Sequence, residues 1–414
     1  MTSARPTTRE TLLQSAWVFP MDSPAVRDGG VLVGGGKVLA VGPSAQLRRA
    51  APHAVVHDFG DAAVLPGLVN PHTHLELSRL MRPQKPGRFI NWLGSVLASA
   101  GDASATTGAV AAGIAESLRF GVTTVGDISR DVGAARAALG SSRLRAVSFG
   151  EVVGMAHRKS LLPQRLAAAL ADGAPASHAT LIASLSPHSP YSVDAEGYRS
   201  CVAVARDRHL PLTTHLAESP DEAAFLSDHA GPFRELWDRL GAFDDALVPY
   251  FSGGPVRFAA SVGLLDHHPT ALAHVNYCDD DELSLLARGR ASVVYCPRTH
   301  AYFGHLPHRW REMLAAGINV AVGTDSRASS PDLNPVDDLR LLHTLAPDVP
   351  PESLWQMATV RAARALGLDP SVGSLTPGKC ADVVVFPAVG REPLRDILES
   401  STHSAEVWIA GKPV

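Results

Sequence analysis

From Pro66 to about residue 370, short β-branched segments alternate with alanine-rich ones, and this alternation limits the fold more than any other feature of the chain. The candidate strands are GLVNPHTH (67–74), GVTTVGDI (121–128), LRAVSFGEVV (144–153), ATLIASLSPH (179–188), LPLTTHLAE (210–218), TALAHVNY (270–277), ASVVYCP (291–297) and INVAVGTDS (318–326). Between them lie segments such as TGAVAAGIAESLRF, LPQRLAAALADG, EGYRSCVAVARDRH and DDDELSLLARG, whose apolar residues recur at three and four, the helical period. Eight strand-and-helix repeats predict an α/β chain folded as a (β/α)8 TIM-like barrel.

The flanks have a different texture. Residues 12–66 read as short strands broken by Gly and Asp turns, and strand character returns in GSLTPGKCADVVVFP and AEVWIAGKPV. We therefore expect a small β-sandwich built from both termini: residues 1–65 and 371–414, around a barrel of residues 66–370. A chain of 414 residues, 45% hydrophobic and 19% charged, is long enough for both.

A net charge of −4 supplies no basic surface of the size phosphate-backbone binding needs, which excludes nucleic acid as the expected partner and favours a small molecule. Cys201, Cys278, Cys296 and Cys380 form no C-x-x-C pair, so neither a disulfide framework nor a zinc ribbon is expected. The N-terminal stretch lacks a signal-peptide pattern, and no run approaches the roughly 18 apolar residues of a membrane span. A cytoplasmic protein without a membrane partner is the expectation.

Chemistry-bearing residues fall at the C-terminal ends of the candidate strands, where barrels place their sites. His72 and His74 are two apart at the end of the first, so both imidazoles face the same way. His215 ends the fifth and Asp325 the eighth. Three nitrogens and a carboxylate suit one divalent cation, Zn2+ first, with Fe2+ or Mn2+ as alternatives, and leave room for a water.

The segments PGLVNPHTHLE, SPHSPYSV, THLAES, LAHVNYCDDDEL, VVYCPRTHAYFG, GTDSRASSPDLN and GSLTPGKCADVVVF follow one another between residues 66 and 386. In this order they resemble the amidohydrolase superfamily, in its branch of cytosine, guanine and adenosine-type deaminases and triazine hydrolases. HTHLELS, the long fifth loop and CPRTHAYFGH are most similar to bacterial enzymes grouped with aminodeoxyfutalosine deaminases. The resemblance implies that His72, His74, His215 and Asp325 bind the metal, that Glu218 shuttles protons, that His274 assists the attacking water or the tetrahedral intermediate, and that Asp325 shares the proton transfer. It also implies a hydrolase that replaces an exocyclic amine of a purine nucleoside or related N-heterocycle by oxygen, and a homodimer, the common state among similar enzymes. Binuclear members bridge their metals with a carboxylated lysine; Lys37, Lys85, Lys159, Lys379 and Lys412 end no candidate strand, so a single metal is expected.

Residue chemistry supports these roles from its own side. Glu218 is three residues past His215, near enough to take a proton from an activated water and pass it to a ring nitrogen and the leaving amine. Departing ammonia needs that proton and departing chloride does not, which argues against a chlorohydrolase. A cyclic-amide hydrolase would also suit the branch, and a noncatalytic scaffold would suit the barrel. His188, in SPHSPYSV, is read as a substrate contact, with a structural role in a Pro-rich turn as the other reading. Phe89 and Trp92 can stack on a flat heterocycle or pack. Arg298, His300, Tyr302, His305 and Arg327 are candidate selectors of a polar or carboxylated tail. The aromatic-rich segment 219–262 is a lid, a subunit contact or packing.

Overall fold

A computed structural model describes residues 10–99, 103–171, 181–388 and 390–414. Outside them lie the first nine residues, with part of the N-terminal stretch considered for targeting, the first two residues of the fourth candidate strand and the end of the LPQRLAAALADG segment.

All eight barrel strands form, in chain order: Leu68–Thr73, Val122–Ser129, Arg145–Val152, Leu181–Pro187, Leu212–Leu216, Thr270–His274, Ser292–Tyr295 and Val320–Val322. Each pairs in parallel with the next, so sequence order is spatial order. They are buried nearly throughout, which parallel strands covered by helices require. Helices such as Ala103–Arg119, Leu162–Ala169, Ala195–Arg208 and Asp280–Arg288 match the segments with helical period. The last of them begins with a full capping box between Asp279 and Glu282.

The ring closes between the eighth strand and the first. Asn70 donates from Nδ2 to Thr324 Oγ1 (2.8 Å) and accepts from Thr324 N (3.2 Å). Asp325 N donates to His72 O (3.1 Å), and Thr73 and Asp325 form a parallel bridge. Gly323 makes the close approach possible, because a Cβ there would lie 2.9 Å from the His72 Cβ. Pro71 interrupts the first strand, which lacks its donor there, and the register with the second strand shifts between Asn70 and Thr73. Gly126 accommodates the irregularity: a Cβ at that position would sit 2.4 Å from Pro71 O.

The terminal strands form one separate sheet in the order Lys412–Pro413, Glu406–Ile409, Val383–Pro387, Ala62–Pro66, Thr11–Val18, Val26–Gly34, Lys37–Pro43, with Val55–Asp58 also paired to Thr11–Val18. Both termini contribute to its core of Leu13, Val18, Val31, Val64, Val383, Val385 and Trp408. The chain leaves this sheet at Pro66 and enters the barrel at Leu68. A buried ion pair joins the two parts at the start of the third barrel strand, with Arg145 Nε 2.5 Å from Asp382 Oδ2.

Among the described residues no helix is long and apolar enough to cross a membrane.

Candidate active site

The seam of the barrel is where its chemistry collects. Beyond Thr73 the chain turns into a short 3-10 helix, Leu75–Leu77, whose first backbone N–H donates to Asp127 Oδ1 (2.9 Å), fixing the exit of the His72–His74 segment. His74 Nε2 lies 3.2 Å from His215 Nε2, and Asp325 Oδ1 lies 3.9 Å from His72 Nε2 and 3.7 Å from His74 Nε2. His274 Nε2 faces Glu218 Oε1 at 3.5 Å. Two triads with ligand atoms within 4.8 Å of one another result: His72, His74 and His215, then Glu218, His274 and Asp325. The six groups that the sequence singled out for metal and proton chemistry therefore meet, though they come from four strands.

Their backbones record the constraint. His274 and Asp325 adopt φ of +73° and +57°, and Ala217 and Val275 are also left-handed at +50° each. Non-glycine residues enter that region at a cost, and only where the surroundings dictate it. Here the left-handed residues are the two strand-end ligand candidates and the neighbours of Glu218 and His274.

The donor set fits a divalent cation. His72 is fully buried, and neither of its ring nitrogens has a hydrogen-bond partner among the described residues; His274 Nε2 is likewise unpartnered. Burial lowers the pKa of both far below the usual histidine value, and lowers that of His215 to about 3. These imidazoles are neutral at physiological pH, with lone pairs free for a metal. His215 Nδ1 is directed at His188 O (3.2 Å), which leaves Nε2 as the ligand atom, the arrangement metal-binding histidines use. Asp325 Oδ2 accepts from Ser329 Oγ (2.8 Å), which leaves Oδ1 toward the histidines, and burial raises its carboxyl to about 6. Three neutral nitrogens and one carboxylate oxygen are a donor set that would suit a divalent metal.

Glu218 is 4% exposed, and burial together with the nearby Asp325 and Glu222 carboxylates pushes its pKa well up. Its position is set from both sides. Glu222 accepts from the backbone N–H groups of Ala217 (3.0 Å) and Glu218 (3.1 Å), and Asn276 Nδ2 donates to Glu218 O (2.9 Å).

A cavity of about 280 Å³ opens over this centre. His74, His215, Glu218 and Asp325 form its floor, while Phe89, Trp92, Leu93, Val96, Tyr191, Leu236, Trp237 and Leu240 supply apolar walls. Trp92 and Phe89 thus line the cavity, as does His188, whose Nδ1 is tied to Ser192 Oγ (2.7 Å). Helix Phe89–Ala98 presents the first two, with the Trp92 indole N–H donating to Ala328 O (2.8 Å). The 219–262 segment forms helices Pro220–Asp228, Pro232–Arg239 and Pro255–Ser261. Its Phe225, Phe233 and Trp237 join Phe89, Trp92 and Tyr191 in one buried cluster, so within the chain it is a roof of the cavity.

The expected tail selectors require correction. Arg298 is fully used by Asp332 Oδ1 (2.7 Å) and Asn334 O (2.9 Å) in the loop after the eighth strand and by Asp338 Oδ2 (2.9 Å) in the helix that follows, and does not line the cavity. His300 donates from Nε2 to Leu306 O (2.8 Å) and packs on Tyr295, also away from the cavity. Tyr302, His305 and Arg327 are absent from the lining too, bonded to Pro83 O, Tyr277 Oη and Glu116. The cationic groups at the cavity are instead Arg130, just after the second strand, and Arg158 and Arg165, in the 3-10 turn and helix after the third. Sequence reasoning missed these, along with Glu76, Glu151, Glu222 and Ser329. Glu222 and Ser329 stand four residues after Glu218 and Asp325, a spacing that could have flagged them as positioning groups.

The sequence profile of the amidohydrolase family matches residues 63–414. An aminodeoxyfutalosine deaminase of Deinococcus radiodurans is 32% identical over 350 residues, covering 82% of this chain and 81% of its own. A 5-methylthioadenosine/S-adenosylhomocysteine deaminase of Moorella thermoacetica is 27% identical over 385 residues, covering 90% and 85%. The crystal structure of Helicobacter pylori aminofutalosine deaminase in complex with methylthio-coformycin superposes with a TM-score of 0.84 at 25% identity, covering 98% of this chain and all of that one. The chain belongs to the amidohydrolase family.

Proposed function

We propose that this protein is a zinc-dependent aminohydrolase that replaces the 6-amino group of a purine nucleoside, one extended at its 5′ position, by oxygen and releases ammonia. The observation that carries the reading is the Glu218 carboxyl, buried beside the histidine–aspartate set and 3.5 Å from His274. Deamination of an amidine carbon moves both protons of the attacking water, one to the ring nitrogen and one to the departing amine, and needs a side chain that can carry them. A carboxyl whose burial favours the protonated form is suited to the delivery.

His72, His74, His215 and Asp325 would hold the cation, and three imidazoles with a carboxylate favour zinc. When bound, it supplies the Lewis acidity that makes water nucleophilic at neutral pH. Asp325 accepts a proton at Oδ1 while Ser329 holds its other oxygen. Glu218 moves protons to the ring nitrogen and the departing amine. His274 faces Glu218 and stabilises charge on the developing oxygen. Phe89, Trp92 and the roof exclude water and take a flat base against apolar walls.

The substrate class draws on the cavity and on the relatives together. Two of the relatives are named for adenosine derivatives and for aminodeoxyfutalosine. A 280 Å³ cavity with Arg158 and Arg165 on its lining accommodates a nucleoside whose 5′ extension ends in an anion. The four cysteines are free thiols, consistent with the cytoplasmic location expected from the sequence.

An ammonia-release screen of metal-assayed protein tests the proposal, with 5′-methylthioadenosine, S-adenosylhomocysteine, aminodeoxyfutalosine, guanine, cytosine and chlorotriazines as substrates. Ammonia from the adenine nucleosides supports it. Chloride from a triazine without ammonia from any nucleoside would replace it with the dechlorinating reading.

A further inference from the structure

One carboxylate of the cavity has no task in the deamination chemistry. Glu151 lies near the C-terminal end of the third barrel strand, paired in register with Ser186 of the fourth. It lines the cavity together with Arg130, Arg165, His188, Tyr191 and His215.

The other acidic groups there are committed. Glu218 and Asp325 belong to the reaction centre. Glu76 is saturated: its Oε1 accepts from Arg130 Nε (2.7 Å), and its Oε2 from the backbone N–H groups of Arg130 (3.1 Å) and Asp131 (3.2 Å). No hydrogen bond or ion pair among the described residues satisfies the Glu151 side chain. Burial raises its pKa, whereas the permanent charges of Arg130 and Arg165 favour its ionised form. An ionised carboxylate is an acceptor only, and Glu151, partly exposed to the cavity, has no protein donor there among the described residues. A ligand in the cavity can bring the missing donors.

We infer that Glu151 is a specificity-determining residue that accepts hydrogen bonds from the vicinal 2′- and 3′-hydroxyls of the substrate's ribose. Two adjacent hydroxyls match the two oxygens of one carboxylate, and a nucleoside with its base over Glu218 and its 5′ extension toward Arg158 and Arg165 has its sugar between them. The inference rests on the nucleoside reading above and adds to it which sugar is accepted.

The test compares kcat/KM for 5′-methylthioadenosine and its 2′,3′-dideoxy analogue on metal-loaded wild type, Glu151→Ala and Glu151→Gln. Wild type is expected to favour the ribonucleoside by about 100-fold, the order that hydrogen bonds to a charged group supply. Glu151→Ala should lose that factor on the ribonucleoside, keep the wild-type rate on the dideoxy analogue and keep its metal. Glu151→Gln, which preserves volume and one acceptor, should fall between and covers the case in which the alanine variant does not fold. Equal losses on both substrates, or a preference that survives both substitutions, would overturn the inference while leaving deamination intact. Metal-loaded wild type inactive on 5′-methylthioadenosine, S-adenosylhomocysteine and aminodeoxyfutalosine alike would instead refute the function reading, and this inference with it.

Discussion

Asp127 shows how one buried residue at the site connects stability to pH. Its carboxylate accepts from Leu75 N and Ser129 Oγ, and burial pushes its pKa from 3.8 up to about 7. Between those values the folded chain keeps a proton that the unfolded chain has lost. Stability from this group therefore falls as pH rises through the window, by up to about 1.4 kcal/mol per pH unit. Asp127→Asn retains an acceptor for Leu75 N and has nothing to titrate. Thermal melts should find the variant close to wild type near about pH 4 and progressively more stable than wild type up to about pH 7. A gap that narrows with rising pH would contradict the assignment. At this scale the sequence was legible where residue type and strand-end position coincide, as for His72, His74, His215, Glu218, His274 and Asp325. It was misleading for Arg298 and His300, because a guanidinium just past a strand end reads the same whether it faces a ligand or Asp332 and Asp338. Only the partner's position decides, and that position is set by how distant segments pack.

Among elements, the helix Pro232–Arg239 carries the most testable role. Trp237 is 6% exposed, donates its indole N–H to Tyr191 O (2.7 Å), and lines the cavity with Leu236 and Leu240. Trp237→Ala should destabilise the chain by about 3–5 kcal/mol, the usual cost of emptying such a site. It should also raise KM more than it lowers kcat, because the roof contacts substrate and not the reacting atoms. Denaturant titration and steady-state kinetics measure the two effects; an unchanged KM would place this helix outside the binding surface. All eight strands were legible because each is an apolar, β-branched run of strand length between helical segments. The role of the 219–262 segment was not, since aromatic residues at helical spacing look alike whether they meet a cavity, a subunit or the barrel wall. Contact with Phe89, Trp92 and Tyr191, from distant parts of the chain, is what makes it a roof.

Across the whole molecule, the barrel closes through the same residues that gather the candidate metal ligands: Asn70 with Thr324, and His72 with Asp325. A metal held there would couple to the fold, and a cation bound at about a thousand times its dissociation constant would add roughly 4 kcal/mol of stability. Chelation should lower the thermal midpoint by several degrees, and readdition of zinc should restore it; an unchanged midpoint would separate the site from the seam. Domain order was legible from the return of strand texture after residue 370, but not the Arg145–Asp382 pair that ties the terminal sheet to the barrel, since its partners are 237 residues apart. The proposed function turns on a buried glutamate, Glu218, that would move protons beside a metal held by the neighbouring histidines and Asp325. Zinc content and ammonia release from 5′-methylthioadenosine, measured for wild type and Glu218→Gln prepared side by side, test this without an intermediate step. Equal zinc is expected, with a rate lower by about 10³-fold in the variant, within the range general acid–base groups contribute. A variant that keeps both its zinc and the wild-type rate would contradict the proton-carrying role.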